Sequence, residues 1–126
     1  MKVSEKSMLE KKVWAVMGVT DKTHRFGYKI YKILKERGYT VYGINPNLPM
    51  LEGEKIYASI ADLPETVDVL DVVVNPTLAK KALEEAKEAG IENIFFQPGS
   101  HVEETVEKAE ELGLNWVCSC AYAALV

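Results

Sequence analysis

Short, nearly apolar runs alternate along this chain with longer stretches of helical periodicity. Val13–Met17, Thr40–Ile44, Val69–Val74, Asn93–Phe96 and Asn115–Cys118 show little polar–apolar alternation. Strands covered on both faces read this way, which predicts a parallel sheet. Between them, Gly27–Arg37 is predicted as a helix, with Phe26, Ile30, Ile33 and Leu34 on one stripe and Gly38 as its stop. Ser59–Leu63 is a short helical segment ended by Pro64. Thr77–Ala89 carries the stripe Leu78, Ala82, Leu83, Ala86 and Ala89, and stops at Gly90. A fourth helix is predicted from Ser100, where Ser100-His101-Val102-Glu103 reads as a capping box, through Val106, Ala109 and Leu112 to Gly113. Ser4–Lys11 reads as a further helix in an N-terminal extension, residues 1–12.

The order β-α-β-α-β-α-β-α-β with right-handed crossovers predicts an α/β, Rossmann-like, doubly wound five-stranded parallel sheet of order 3-2-1-4-5, helices on both faces. Asn45–Tyr57, with Pro46, Pro49 and Gly53, is expected to be irregular and to cover part of a site. The 126 residues fit one domain, 1–126, large enough to bury a core. The net charge of −4 offers no basic footprint for nucleic acid. No apolar run approaches the roughly 20 residues a bilayer span needs. The start Met1–Lys6 has no apolar segment resembling a signal peptide, so a cytoplasmic location is expected.

Ligands of open parallel sheets bind outside the carboxyl ends of the strands. The five predicted ends are Gly18-Val19-Thr20, Asn45-Pro46-Asn47, Asn75-Pro76-Thr77, Gln97-Pro98-Gly99-Ser100 and Cys118-Ser119-Cys120. Turn chemistry alone favours such residues, but five on one edge make a candidate binding site. The first loop says most. Gly18 permits a sharp turn after the strand, and Gly27 lets the next helix begin close to a ligand. The free N–H groups at that helix start attract phosphate, and Lys22 and Arg25 add charge. Gly18 to Gly27 is longer than the dinucleotide pattern G-x-G-x-x-G and lacks its middle glycine. The second strand ends Gly43-Ile44-Asn45-Pro46, without the carboxylate that holds the ribose of NAD. A ribose carrying a phosphate meets no repulsion there, which suits coenzyme A and also NADP.

These residues resemble a known family. Gly18-Val19-Thr20, Arg25-Phe26-Gly27-Tyr28 and Gly38-Tyr39-x-Val41-Tyr42-x-Ile44-Asn45-Pro46 are similar to the small CoA-binding domain proteins of the YccU type. So are Gly53-Glu54-Lys55-x-Tyr57-x-Ser59-Ile60-x-Asp62-Leu63-Pro64, Val67-Asp68-x-x-Asp71-Val72 and Phe96-Gln97-Pro98-Gly99. The resemblance runs from Val13 to Cys120. It implies the fold of the CoA-binding domain of the succinyl-CoA synthetase α subunit. By that likeness Gly18, Val19, Thr20 and Arg25, with Phe26 and Gly27 at the helix start, hold the phosphates of coenzyme A or an acyl-CoA. Asn45 and Pro46 border the adenosine, Val74, Asn75 and Pro76 line the floor, and Gln97, Pro98 and Gly99 face the pantetheine arm. Cys120 resembles a cysteine late in the family pattern, although the spacing from Gly113 is one residue shorter here. The family often has Lys after Asn-Pro, where this chain has Asn47.

His24 and His101 have no recognisable catalytic partner. The only cysteines, Cys118 and Cys120, are too few for a metal set or a disulfide framework. They read as buried thiols, with a redox role or a disulfide to each other or to the CoA thiol as the sharper hypothesis. Tyr28, Tyr31, Tyr39 and Tyr42 read as helix–sheet packing rather than an adenine stack. The expectation is therefore a non-catalytic CoA-binding module with a carrier, sensor or regulatory role. Its expected partners are a small-molecule nucleotide cofactor and a second copy of the chain or an acyl-CoA enzyme. An NAD(P)-binding oxidoreductase or redox sensor is the alternative, and a ligase subunit the third reading.

Overall fold

A computed structural model describes residues 1–126. Five strands lie where the apolar runs predict them: β1 (Val13–Met17), β2 (Thr40–Ile44), β5 (Val69–Val72), β6 (Asn93–Phe96) and β7 (Asn115–Cys118). Two more, β3 (Met50–Leu51) and β4 (Glu54–Tyr57), lie inside the stretch expected to be irregular. The helices are α1 (Glu5–Leu9), α2 (Phe26–Glu36), α3 (Pro76–Glu88), α4 (Glu103–Glu111) and α5 (Ala121–Leu125), and Ile60–Asp62 forms a single 3₁₀ turn.

The sheet has seven strands in the order β3-β4-β2-β1-β5-β6-β7. This corrects the expected five-stranded sheet of order 3-2-1-4-5. The run predicted as third strand, β5, pairs with β1 on the side away from β2, with Trp14 opposite Val69. The outer place beside β2 belongs to β4, with Gly43 opposite Ile56. All pairings are parallel except β3 with β4. That antiparallel hairpin turns on Glu52 and Gly53, both at positive φ (50° and 84°). Positive φ at both central positions is the two-residue turn whose twist matches its flanking strands. Tyr28 Oη and Lys32 Nζ of α2 donate to Glu52 at 2.5 and 2.6 Å. They hold its carboxyl below the usual carboxylate range, the Lys32 bond most strongly. Leaving out the hairpin, the parallel strands run in the doubly wound order of a Rossmann-like α/β fold, reversing direction between β1 and β5.

Period-two alternation divides the core into two layers. Ala15, Leu70, Val72, Ile94, Phe96 and Trp116 pack under Ala79, Ala82, Leu83 and Ala86 of α3 and Ala109 of α4. Trp14, Val16, Val69, Phe95 and Val117 pack under Ile30, Tyr31 and Leu34 of α2, Met8 of α1 and Ala121 of α5. Asp71, in mid-strand between Val16 of β1 and Phe95 of β6, is fully buried on this second face. Neither of its carboxyl oxygens has a hydrogen-bond partner, and burial pushes its pKa well above the usual carboxylate value.

The N-terminal segment straps the β7 edge: Val3 N–H donates to Trp116 O at 2.8 Å, and Trp116 N–H to Met1 O at 3.0 Å. α1 starts at Ser4, whose Oγ accepts from Ser7 N–H at 3.1 Å. The predicted capping box at Ser100 is not the start of α4. Ser100 ends a separate 3₁₀ turn, Pro98–Ser100, and its hydroxyl lies 2.8 Å from Val72 O and 2.9 Å from Gln97 O. α4 begins at Glu103, where Thr105 Oγ1 accepts from Val102 N–H at 3.0 Å. No helix is long and apolar enough to cross a membrane.

Candidate functional site

The carboxyl ends of β1, β5 and β6 open onto one cleft with two arms. The first arm, of about 830 Å³, is lined by Gly18, Val19, Thr20, Arg25, Phe26, Gly27, Asn45, Val74 and Asn75, together with Lys22, His24, Val73 and Leu78. The second, of about 460 Å³, is lined by Gln97, Pro98, Gly99, Ser100 and Cys120. The arms share Phe26, Val73, Val74 and Asn75. Phe26 is 52% exposed although it opens a helix, because it stands at the junction. No Asp or Glu lines either arm.

The first arm owes its shape to backbone approach. Gly18 has φ +102°, and a Cβ on it would lie 2.4 Å from Val73 O. A Cβ on Gly27 would lie 2.2 Å from Gly18 O. Only glycine at both places lets β1 turn back against β5 while α2 starts over the turn. Arg25, the residue before α2, adopts an extended conformation and makes no side-chain cap. The first-turn N–H groups of α2 therefore stay available at the positive end of the helix dipole, beside Lys22, His24 and Arg25. The start of α3 differs. Asn75 Oδ1 accepts from Leu78 N–H at 3.0 Å, and Pro76 occupies the first turn with no N–H to offer.

Side chains elsewhere on the edge are engaged in holding it. Asn45 Nδ2 donates to Val19 O at 2.8 Å while its Oδ1 accepts from Asn47 N–H at 2.8 Å, tying the β1 and β2 loops together. Thr20 Oγ1 accepts from Lys22 N–H at 3.2 Å. Gln97, buried, accepts from Ala121 N–H at 3.1 Å and so anchors α5.

The site residues expected from the sequence converge on this cleft with the exception of two prolines. Pro46 lies beyond Asn45, in a neighbouring groove at the ends of β2 and β4. Pro76 lines neither arm. Cys120 lies at the mouth of α5 and Cys118 at the end of β7, both free and half-buried. Burial pushes the Cys118 thiol up. His101 packs against Phe96 and Trp116, away from the cleft. Tyr31 and Tyr39 belong to the core, and burial pushes the Tyr31 hydroxyl up to about 12. Tyr42 packs edge-on against Tyr57 and donates to Glu65. Sequence reasoning missed Val73, which reads as one more strand residue, and the cleft role of Leu78, which reads as part of a helical stripe. Leu78 is 52% exposed at the cleft. Its position three residues after the Asn75 cap was the available signal.

The parallel order, the glycine-built turn and the open α2 start define a Rossmann-like α/β domain of the kind that places a ligand at the reversal point of its sheet. The chain belongs to the CoA binding domain family, which it matches over residues 12–125. It is 35% identical over 121 residues to an ADP-forming acetate–CoA ligase of Archaeoglobus fulgidus, covering 84% of this chain and 17% of that protein. The chain thus spans under a fifth of that relative's length. Among solved structures, a conserved hypothetical protein from Pyrococcus furiosus superposes with TM-score 0.85 at 33% identity, covering 90% of this chain and 98% of that one. A hypothetical protein from Pyrococcus horikoshii superposes with TM-score 0.86 at 30% identity, covering 98% and 92%.

Proposed function

We propose that this chain binds coenzyme A or an acyl-CoA as a non-catalytic module with a carrier, sensor or regulatory role. One observation carries the reading: a carboxylate-free cleft in which an uncapped helix start, flanked by Lys22 and Arg25, opens past Phe26 into a second, less polar arm. That matches a ligand with an anionic head and a long, weakly charged tail. The pyrophosphate rests on the first-turn amides of α2, with Arg25 and Lys22 as counter-charges. The pantetheine arm runs between Val74 and Gln97–Gly99 towards Cys120. The adenosine leaves across Asn45 and Pro46. The acetate–CoA ligase relatives support an acyl-CoA enzyme as partner, and a second copy of the chain is the other candidate.

Thermal-shift titration with CoA, acetyl-CoA, NAD and NADP tests this. CoA at 100 times its dissociation constant is expected to add roughly 2.7 kcal/mol of stability, and acetyl-CoA to be recovered unhydrolysed. A shift with NAD or NADP and none with CoA would replace the reading with an NAD(P)-binding oxidoreductase or redox sensor.

A further inference from the structure

Away from the cleft, an opening of about 450 Å³ lies where the Ile60–Asp62 turn and the crossover that follows it pack against the end of α3. α3 runs 13 residues from the cleft to this point, about 20 Å, so an occupant here leaves the cleft free. Ile60 and Ile91, both buried, form its floor, and the half-buried Leu63 and Ala89 form its walls. Glu65, Glu85 and Glu88 stand around it, and no lysine, arginine or histidine lines it. None of the three carboxylates has a cation within ion-pair distance. Glu65 accepts from the Tyr42 hydroxyl, which fixes its position. Glu84, the neighbour of Glu85, is engaged elsewhere, with Lys108 at 3.8 Å. The nearest lysines along α3, Lys81 and Lys87, are exposed and line no part of the groove.

Two of these carboxylates stand where they work against the fold. Glu85 and Glu88 lie in the last turn of α3, at the negative end of the helix dipole, where cations stabilise a helix and anions do not. Like charges three residues apart also repel. A local rule broken without compensation inside the chain marks a position kept for function. We propose that this groove docks a segment of a partner protein in which one or two aliphatic side chains are flanked by lysine or arginine. The aliphatic groups fill the apolar floor, and the surrounding carboxylates pair with the cations, which relieves the repulsion at the end of α3. Charge complementarity of this kind selects the partner, while the buried apolar anchor supplies affinity. A purely charged ligand would leave the floor unused. The proposal does not depend on what occupies the cleft.

Anisotropy titration of a labelled peptide, Lys-Leu-Arg-Leu-Lys-Arg, tests this beside its serine analogue, Lys-Ser-Arg-Ser-Lys-Arg. The proteins are wild type, Glu85→Gln/Glu88→Gln, and Glu107→Gln/Glu111→Gln, which removes the same charge from the exposed face of α4. Wild type is expected to bind the leucine peptide saturably and the serine peptide at least about ten-fold more weakly, since only the first has aliphatic groups to bury. Glu85→Gln/Glu88→Gln is expected to weaken the leucine peptide about ten-fold, and the α4 variant to weaken it less than about two-fold. Without peptide, Glu85→Gln/Glu88→Gln is expected to melt about 2–4 °C above wild type, which also verifies that it folds. No saturable binding, equal binding of the two peptides, or equal losses in the two variants overturns the proposal. A midpoint at or below that of wild type overturns it as well, because the carboxylates would then serve the fold. Spermidine binding as tightly as the leucine peptide would make this a polyamine site instead. A wild-type dimer that Glu85→Gln/Glu88→Gln dissociates would make the occupant a second copy of the chain, and either result replaces the proposal.

Discussion

The two arms of the cleft are built by different means. The phosphate arm is made of backbone: two glycines whose missing Cβ atoms would meet carbonyl oxygens at 2.4 and 2.2 Å, and a helix start left without a cap. The second arm is made of side chains and turns, with Gln97 anchoring α5 and Ser100 bridging to β5. Backbone architecture tolerates almost no substitution, because peptide atoms have nowhere to move. A side-chain wall can adjust by rotamer. Tolerance of change should therefore differ sharply between the arms.

Gly27→Val is the hardest test. Its Cβ would lie 2.2 Å from Gly18 O, so either the turn opens or α2 moves off the site. CoA affinity is expected to fall by at least about 100-fold, equivalent to roughly 2.7 kcal/mol. Titration showing an intact site would mean that the close approach is dispensable.

Asp71→Asn probes the layer beneath α2. Burial raises the folded-state pKa of Asp71 above its unfolded value. The folded chain then holds a proton that the unfolded chain releases. The stabilisation is complete below the unfolded value, about 4, and is lost as pH rises through the folded one. The amide has no such proton, so the Asp71→Asn variant is expected to match wild type at low pH. At pH 8 a gain of at least about 1 kcal/mol is expected for the variant in denaturant melts. Parallel pH–stability curves for the two chains would contradict this account.

Arg25→Ala removes a side chain but not the amides, so CoA affinity should drop only about ten-fold, or 1.4 kcal/mol. Cys120→Ser, in the side-chain wall, should change CoA affinity by less than about two-fold if the contact is packing alone. A larger loss there would make the thiol a specific contact and narrow the contrast between the arms.

The same contrast separates what is legible in the sequence from what is not. The phosphate turn can be read because Gly18 and Gly27 bracket a polar loop between an apolar run and a helical stripe. The five apolar strands can be read because parallel strands buried on both sides are apolar throughout. β4 cannot: although as long as β5, β6 and β7, it carries exposed Glu54 and Lys55 and buries only Ile56 on one face, so it lacks the apolar run that marks them. With β4 unseen, the next apolar run takes its outer place, and the expected strand order fails by that one substitution. The Glu52-Gly53 turn is the available sign, obscured by the two prolines before it. The second arm is legible in the strand ends that carry Gln97–Ser100 and Cys120, but its role as a path for a ligand's tail comes only from the family resemblance, because Gln97 and Cys120 acquire their neighbours through α5.

The strap of Met1–Val3 along β7 has a consequence for self-assembly. Its three residues occupy backbone groups that would otherwise recruit a foreign strand. The opposite margin ends in the two-residue β3, too brief to template another chain. Neither flank therefore presents a long unpaired strand, which disfavours edge-to-edge β pairing between copies.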